Sequence, residues 1–197
     1  LHWNYFLALE RDLEVMTRYV EFDDRNQDVF SIELAHLLFA AASEVAVVAK
    51  LLCEVVHPGA RPGNINDYRD ILLAALPDLP NDQIVIARYG MRFTPWDNWG
   101  HPGPSAPGQP VPPPANPFWW RSYNNVKHQR DAHFHEATLK HALNALGALL
   151  ILIYHLYART IDPSVKVASA KVTTGEMVPK STLLKLDGDY YYATLVA

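Results

Sequence analysis

The residues most able to do chemistry lie between Trp119 and Tyr157, which read W-W-R-S-Y-N-N-V-K-H-Q-R-D-A-H-F-H-E-A-T-L-K-H-A-L-N-A-L-G-A-L-L-I-L-I-Y-H-L-Y. The first half is rich in Asn, Lys, Arg and His, and the second is almost wholly apolar. One continuous helix over this stretch would carry a polar end into a buried one. Arg121 and His128 are seven residues apart, two helical turns, so a guanidinium and an imidazole face the same space. Asn124 or Asn125, then Asp131 or Ala132, and His135 continue that face. Arg130 lies about 200° around a straight helix from His128 and points elsewhere, with Lys127 and His133 near it. A cation and an imidazole suit metal-free cleavage of RNA. Histidine titrates near neutral pH, arginine meets phosphate charge with two parallel donors, and the 2′-hydroxyl of the substrate is the nucleophile. The aromatic lead-in Phe118-Trp119-Trp120 and Tyr123 favour a partly enclosed polar face and offer surfaces on which unpaired bases stack. The plainer reading is a solvated, basic first turn of a helix.

Other chemistries find less support. His133 and His135 are two residues apart, so on an unbroken helix they diverge and cannot chelate together. His135-Glu136 lacks the second histidine of a zinc-protease helix, because Leu139 stands there. No metal or cofactor is expected. There is no glycine-rich phosphate loop, no G-x-S-x-G elbow and no cysteine pair. Cys53, the single cysteine, falls in an apolar helical pattern and reads as a small core residue. A polar seam of His36, Ser43 and Lys50, flanked by Glu44 and Glu54, interrupts another apolar helix. It reads either as a Glu–Lys network or as a second wall of the cavity that holds His128, with Glu44 and Lys50 as supporting residues.

These side chains need elements to hold them. The chain has 197 residues, 49% of them hydrophobic, which makes one good-sized domain with a core of its own. A first helix is expected over residues 2–20, and a second to about Val56 with Ser31 or Asp28 as its cap. A short third is expected over residues 67–76 with Asn66 as its cap. Residues 77–117 form a long irregular insert holding eleven of the fifteen prolines. Its Tyr89, Phe93, Trp96 and Trp99 predict that the first half packs on the bundle, and Gly100 to Asn116 should be extended and polyproline-like. Gly147 in the last helix allows a close helix approach. Beyond residue 160 the pattern alternates, and residues 183–195 read as a hairpin turning at Asp187-Gly188. The fold class is therefore mainly α: a bundle over residues 1–160 with about four to five helices and the proline-rich insert, then a small β tail over 161–197. The net charge of −4 gives no global attraction to nucleic acid, but residues 117–141 carry four Lys and Arg against two carboxylates. One cysteine, no visible signal peptide and no apolar run long enough to span a bilayer fit a cytoplasmic protein without membrane contact.

The segment Tyr123-Asn124-Asn125-Val126-Lys127-His128-Gln129-Arg130 matches a Y-N-x-V-K-H-x-R string that precedes an apolar helix in a group of bacterial HEPN-like proteins. Arg121 with His128, and Arg130 with His135, also match the HEPN pattern of an arginine, four to six residues, then a histidine early in the last core helix. The likeness extends to Ser43, Glu44, Ala49 and Lys50, to Asn66-x-Tyr68-Arg69, and to Pro95-Trp96, so the chain resembles the HEPN superfamily over residues 3–158. That resemblance implies a helical bundle acting as a metal-independent endoribonuclease on single-stranded RNA. It further implies a homodimer whose two sites meet at the interface, and a role as toxin or antiviral effector with an antitoxin or defence-complex partner. His128 would be general acid or base, and Arg121 or Arg130 would stabilise the phosphate. Face geometry favours Arg121, whereas the shared string contains Arg130. Asn124, Asn125, Lys127, Tyr123 and His135 would contact substrate. The same resemblance also covers members that bind a protein or nucleotide without cleaving.

Overall fold

The computed structural model describes residues 1–103, 111–161 and 177–187. Among these are six α-helices: α1 (His2–Met16), α2 (Ile32–Val56), α3 (Ile65–Ala75), α4 (Phe118–His128), α5 (Arg130–His133) and α6 (Leu139–Ile161). Three short strands, β1 (Ile84–Ile86), β2 (Met91–Phe93) and β3 (Lys185–Leu186), form an antiparallel sheet in the order β2-β1-β3. The mainly helical class expected from periodicity is therefore present.

Helices α2 and α6 form the centre. From Ala142 to Leu156 nearly every side chain of α6 is buried. Its apolar window is long enough to cross a membrane, but 89% of it is covered by the protein itself, as fits a core helix. Ser31 caps α2 by accepting from the Leu34 amide at 3.1 Å. Helix α1 is shorter than its apolar stripe, since residues 17–20 continue only as hydrogen-bonded turns after Met16. Helix α3 begins two residues earlier than expected. Asn64, not Asn66, is its cap, accepting from Asn66 and Asp67 amides, while Asp67 reaches back to the Gly63 amide and the Asn64 side chain. This reciprocal arrangement places Ile65 inside the helix, where it is buried.

The insert is more ordered than a loop. Its first half supplies β1, β2 and a tryptophan cluster. Trp96 lies 4.4 Å from Trp99 and 5.4 Å from Trp119 between ring centroids, and all three are fully buried. The Trp119 indole donates to the Pro95 carbonyl at 2.8 Å, and the Phe118 amide to Asn98 Oδ1 at 3.2 Å. The insert thereby fixes the start of α4. Residues 111–117 have neither helix nor strand, and the buried Arg69 holds them by donating to the Pro114 carbonyl at 2.8 Å.

Only part of the expected β tail lies within the described residues. Strand β3 pairs with β1, Ile84 opposite Leu186. Gly188 of the expected turn, the second hairpin strand and the alternating run at 165–172 lie outside them. Residues 177–187 share the main core through Met177, Leu183 and Leu184. They are held by Glu10 of α1, a buried carboxylate that accepts from the Thr182, Leu183 and Leu184 amides at 3.1, 3.0 and 2.9 Å and from the Ser181 hydroxyl.

The close approach at Gly147 is to the sheet and insert, not to another helix. A Cβ there would stand 2.8 Å from Phe93 Cε2, 3.0 Å from Ile84 Cγ1 and 3.2 Å from Pro95 Cγ. Alanine gains about 1 kcal/mol of helix propensity over glycine, while overpacking costs about 1–3 kcal/mol. Gly147→Ala should therefore lower the thermal midpoint, by an amount matching about 1 kcal/mol. A midpoint equal to or above wild type in a calorimetric scan would show that the sheet yields freely.

Candidate functional site

The long helix expected over residues 119–157 is not continuous. It stops at His128, Gln129 leaves helical geometry at φ −139° and ψ 54°, and a single turn (α5) and a 3-10 turn (Phe134–Glu136) intervene before α6 starts at Leu139. Two physical causes act together. The buried stripe of α4 is Trp119, Ser122, Tyr123 and Val126. Its next positions, Arg130 and His133, are polar and would gain nothing from continuing it. Thr138 then offers a cap, its hydroxyl accepting from the His141 amide at 3.2 Å. The amides of Leu139 and Lys140 meet the carbonyls of Val29 and Gln27 at 2.9 and 3.0 Å.

At this corner Glu136 gathers its neighbours. Asn125 Nδ2 donates to both carboxylate oxygens, at 3.1 and 3.0 Å, and His133 Nδ1 lies 2.7 Å from Oε1. The Glu136 carbonyl accepts from His141 Nδ1 at 2.6 Å, which leaves Nε2 of that ring as the acceptor, 3.4 Å from Ser122 Oγ. Burial opposes ionisation of Glu136, but hydrogen bonds from Ser122, Asn125 and His133, with the charge of the His133 ring, outweigh it and hold the carboxyl below the usual glutamate value. Burial pushes His141 below the usual histidine value, against the pull of the Glu136 carbonyl and carboxylate. Ser122 and His141 do not make a nucleophile pair. Ser122 is only 4% exposed, and its contact to His141 is long.

The stripe beside this cluster is solvent-facing. Arg121, Lys127, His128 and Arg130 are exposed, and none forms an ion pair with a carboxylate among the described residues. Arg121 and His128 have no hydrogen-bond partner there, and Asn125 lies between them, within about 60° of each on the helix. Arg130 is turned by the break so that its guanidinium lies 5.1 Å above the Phe39 ring of α2. Phe39 meets Tyr123 edge-on at 6.0 Å, and Lys127 reaches the Tyr123 hydroxyl at 3.2 Å. Asn124 donates to the Trp120 carbonyl of its own helix at 2.9 Å. His135 is exposed and stacks on His133 at 6.3 Å.

Other candidates fall elsewhere. Glu44 is bonded to His2 of α1 at 2.5 Å, and Lys50 is exposed about 16 Å along α2 from Phe39. His36, Ser43 and Lys50 all face solvent, so the seam is a solvated face and lines no cavity with His128. Cys53 is fully buried, and burial, then Asp67, pushes its thiol up to about 12. Among the described residues no three His, Cys, Asp or Glu side chains are grouped to hold a metal ion. Sequence reasoning did not single out Glu136 and His133 as a pair. Their i,i+3 spacing is a usable signal only once the helix is known to break at Gln129.

Both shifted groups make the fold less stable in acid. His141, lowered when folded, removes stability as pH falls below its ordinary value of 6.5. Glu136, also lowered, removes more as pH falls from 4.5 through its folded value. Urea midpoints should therefore drop between pH 7.5 and 5.5, and drop less in His141→Gln. They should drop again below pH 4.5, and less in Glu136→Gln. Parallel curves for wild type and variants would contradict this assignment. Comparison with protein-family models, with curated proteins and with solved structures gives no match for this chain.

Proposed function

We propose that this chain is a metal-independent endoribonuclease that cuts single-stranded RNA through its own 2′-hydroxyl, on a bundle of the HEPN type. One observation carries the reading: Arg121 and His128, a guanidinium and an imidazole without partners among the described residues, share an exposed stripe of α4. Arg121 meets the non-bridging phosphate oxygens, where a planar donor pair gains most as charge builds up. His128 moves a proton at the scissile phosphate. Lys127 holds a flanking phosphate, and the half-buried Trp120 gives bases a surface to stack on. With Arg130 committed to the Phe39 ring, Arg121 is the partner of His128. The stripe is open on one side, and a second copy facing it would enclose two such sites, in keeping with a homodimer. A toxin or antiviral role, restrained by an antitoxin or defence-complex partner, follows from the HEPN resemblance.

The test is incubation of purified protein with labelled single-stranded RNA in excess EDTA. Cleavage should leave 2′,3′-cyclic phosphate and 5′-hydroxyl ends and spare DNA and 2′-O-methyl RNA. His128→Ala and Arg121→Ala should each lose about 10²–10⁴-fold in rate, and Arg130→Ala less. RNA that is bound but never cut would instead make the chain a non-catalytic HEPN-like binding module.

A further inference from the structure

The corner after α4 holds a second imidazole with the equipment of a proton-transfer group. His133 Nδ1 lies 2.7 Å from Glu136 Oε1, which sets its N–H on that nitrogen and turns the Nε2 lone pair outward. The ring is 32% exposed and Glu136 20%, so the carboxylate is sheltered while the imidazole reaches solvent. A surface ion pair at i,i+3 needs no further support. This one has it: both carboxylate oxygens accept from Asn125. The carboxylate is therefore fixed in place before the imidazole uses it. Asn125 stands between Arg121 and His128 on the helix, so His133 is two hydrogen bonds away from the centre of their stripe. The break at Gln129 makes this possible, because on a straight helix His133 would lie about 140° around from His128.

We propose that His133 is the general base of the RNA cleavage inferred above, with Glu136 and Asn125 as positioning residues and His128 as the general acid. The proposal rests on that ribonuclease reading. His133 Nε2 takes the proton of the 2′-hydroxyl, and the freed oxygen forms the new O–P bond. The P–O5′ bond breaks, and the departing O5′ takes the proton from His128. The products are a 2′,3′-cyclic phosphate and a 5′-hydroxyl, with one proton moved from His128 to His133 and later exchanged with water. Glu136 stabilises the imidazolium that forms at His133, and Arg121 neutralises the non-bridging oxygens.

The experiment compares His133→Ala, His133→Gly, Glu136→Gln and His128→Ala on a single-stranded RNA with one cleavable linkage. The parallel substrate has a bridging sulfur at the 5′ position, whose thiolate departs without a proton. His133→Ala should lose about 10²–10³-fold in kcat with KM within about twofold. Added imidazole should restore part of the activity of His133→Gly, an effect that a merely structural histidine would not give. Glu136→Gln should fall between wild type and His133→Ala in kcat. The sulfur substrate should rescue His128→Ala and leave His133→Ala impaired. Full activity in His133→Ala, while the wild type cuts RNA, would overturn the proposal and leave the ribonuclease reading standing. Sulfur rescue of His133→Ala in place of His128→Ala would overturn the assignment of base and acid. A wild type that cuts no RNA would remove the function itself, and the proposal with it.

Discussion

A carboxylate drawn partly out of water must be met by donors, and Glu136 is met from the α4 and α5 side at once. Asn125 reaches it from the last turn of α4, and His133 from the short turn that follows. Its own carbonyl ties it to His141 in the first turn of α6. Charge-assisted hydrogen bonds contribute about 1.5–3 kcal/mol each, and an unmet buried acceptor costs about as much or more. The chain therefore gains more by folding back at Gln129 than by extending α4 with a polar rod of Lys, His, Gln, Arg and Asp. That corner decides where every candidate catalytic group points. It leaves Arg121 and His128 on an open stripe, lays Arg130 across Phe39, and sets His133 beside Asn125.

The rest of the fold keeps α4 still between two fixed ends. At its start, Trp119 packs on Trp96, which packs on Trp99, and the Phe118 amide is met by Asn98 of the insert. At its end, Asn125 is held by Glu136. Against it packs α6, nearly all of whose side chains from Ala142 to Leu156 are buried. On the far side, Glu10 holds residues 181–184, and β3 completes the sheet that presses on Gly147. A helix restrained in this way fixes the backbone positions of its side chains before a ligand arrives, so less entropy is lost in placing them on binding.

Periodicity made much of this legible. The apolar stripes of α1, α2 and α6 match buried faces, Ser31 is the cap of α2, and the tryptophans of the insert are core. What failed did so for physical reasons. The unbroken helix through His128 was inferred from polar spacing, whereas the decisive signal was the loss of the apolar stripe after Val126 together with Thr138 as a cap. Asn66 also suits a cap by residue type, and only the reciprocal Asn64–Asp67 pair decides for Asn64. The seam on α2 was given too much weight: His36, Ser43 and Lys50 repeat every seven residues simply because one face of that helix meets water. At the candidate site Arg121, Lys127, His128 and Arg130 were visible from residue type and spacing. Glu136 and His133 were not, because their pairing depends on a tertiary fold-back that no helical wheel contains.

The supply of a nucleophile narrows the chemistry further. Among the described residues the hydroxyl beside an imidazole at this corner, Ser122, is buried and makes only a long contact to that ring. The one thiol is buried in the core and pushed up to about 12, far from the protonation state that attacks. Imidazoles and a guanidinium remain, which move protons and offset charge but form no stable bond to an acyl or phosphoryl group without further activation. Such a set is useful to a substrate that carries its own attacking oxygen next to its own electrophile. Ribonucleic acid does so at every linkage, and deoxyribonucleic acid at none. In the proposed reaction, discrimination between the two therefore needs no pocket for the 2′-hydroxyl. It follows from what the protein leaves to the substrate. For the proposed reaction a single exposed edge suffices, on which Arg121 and His128 have no partner among the described residues, on a chain that is acidic overall.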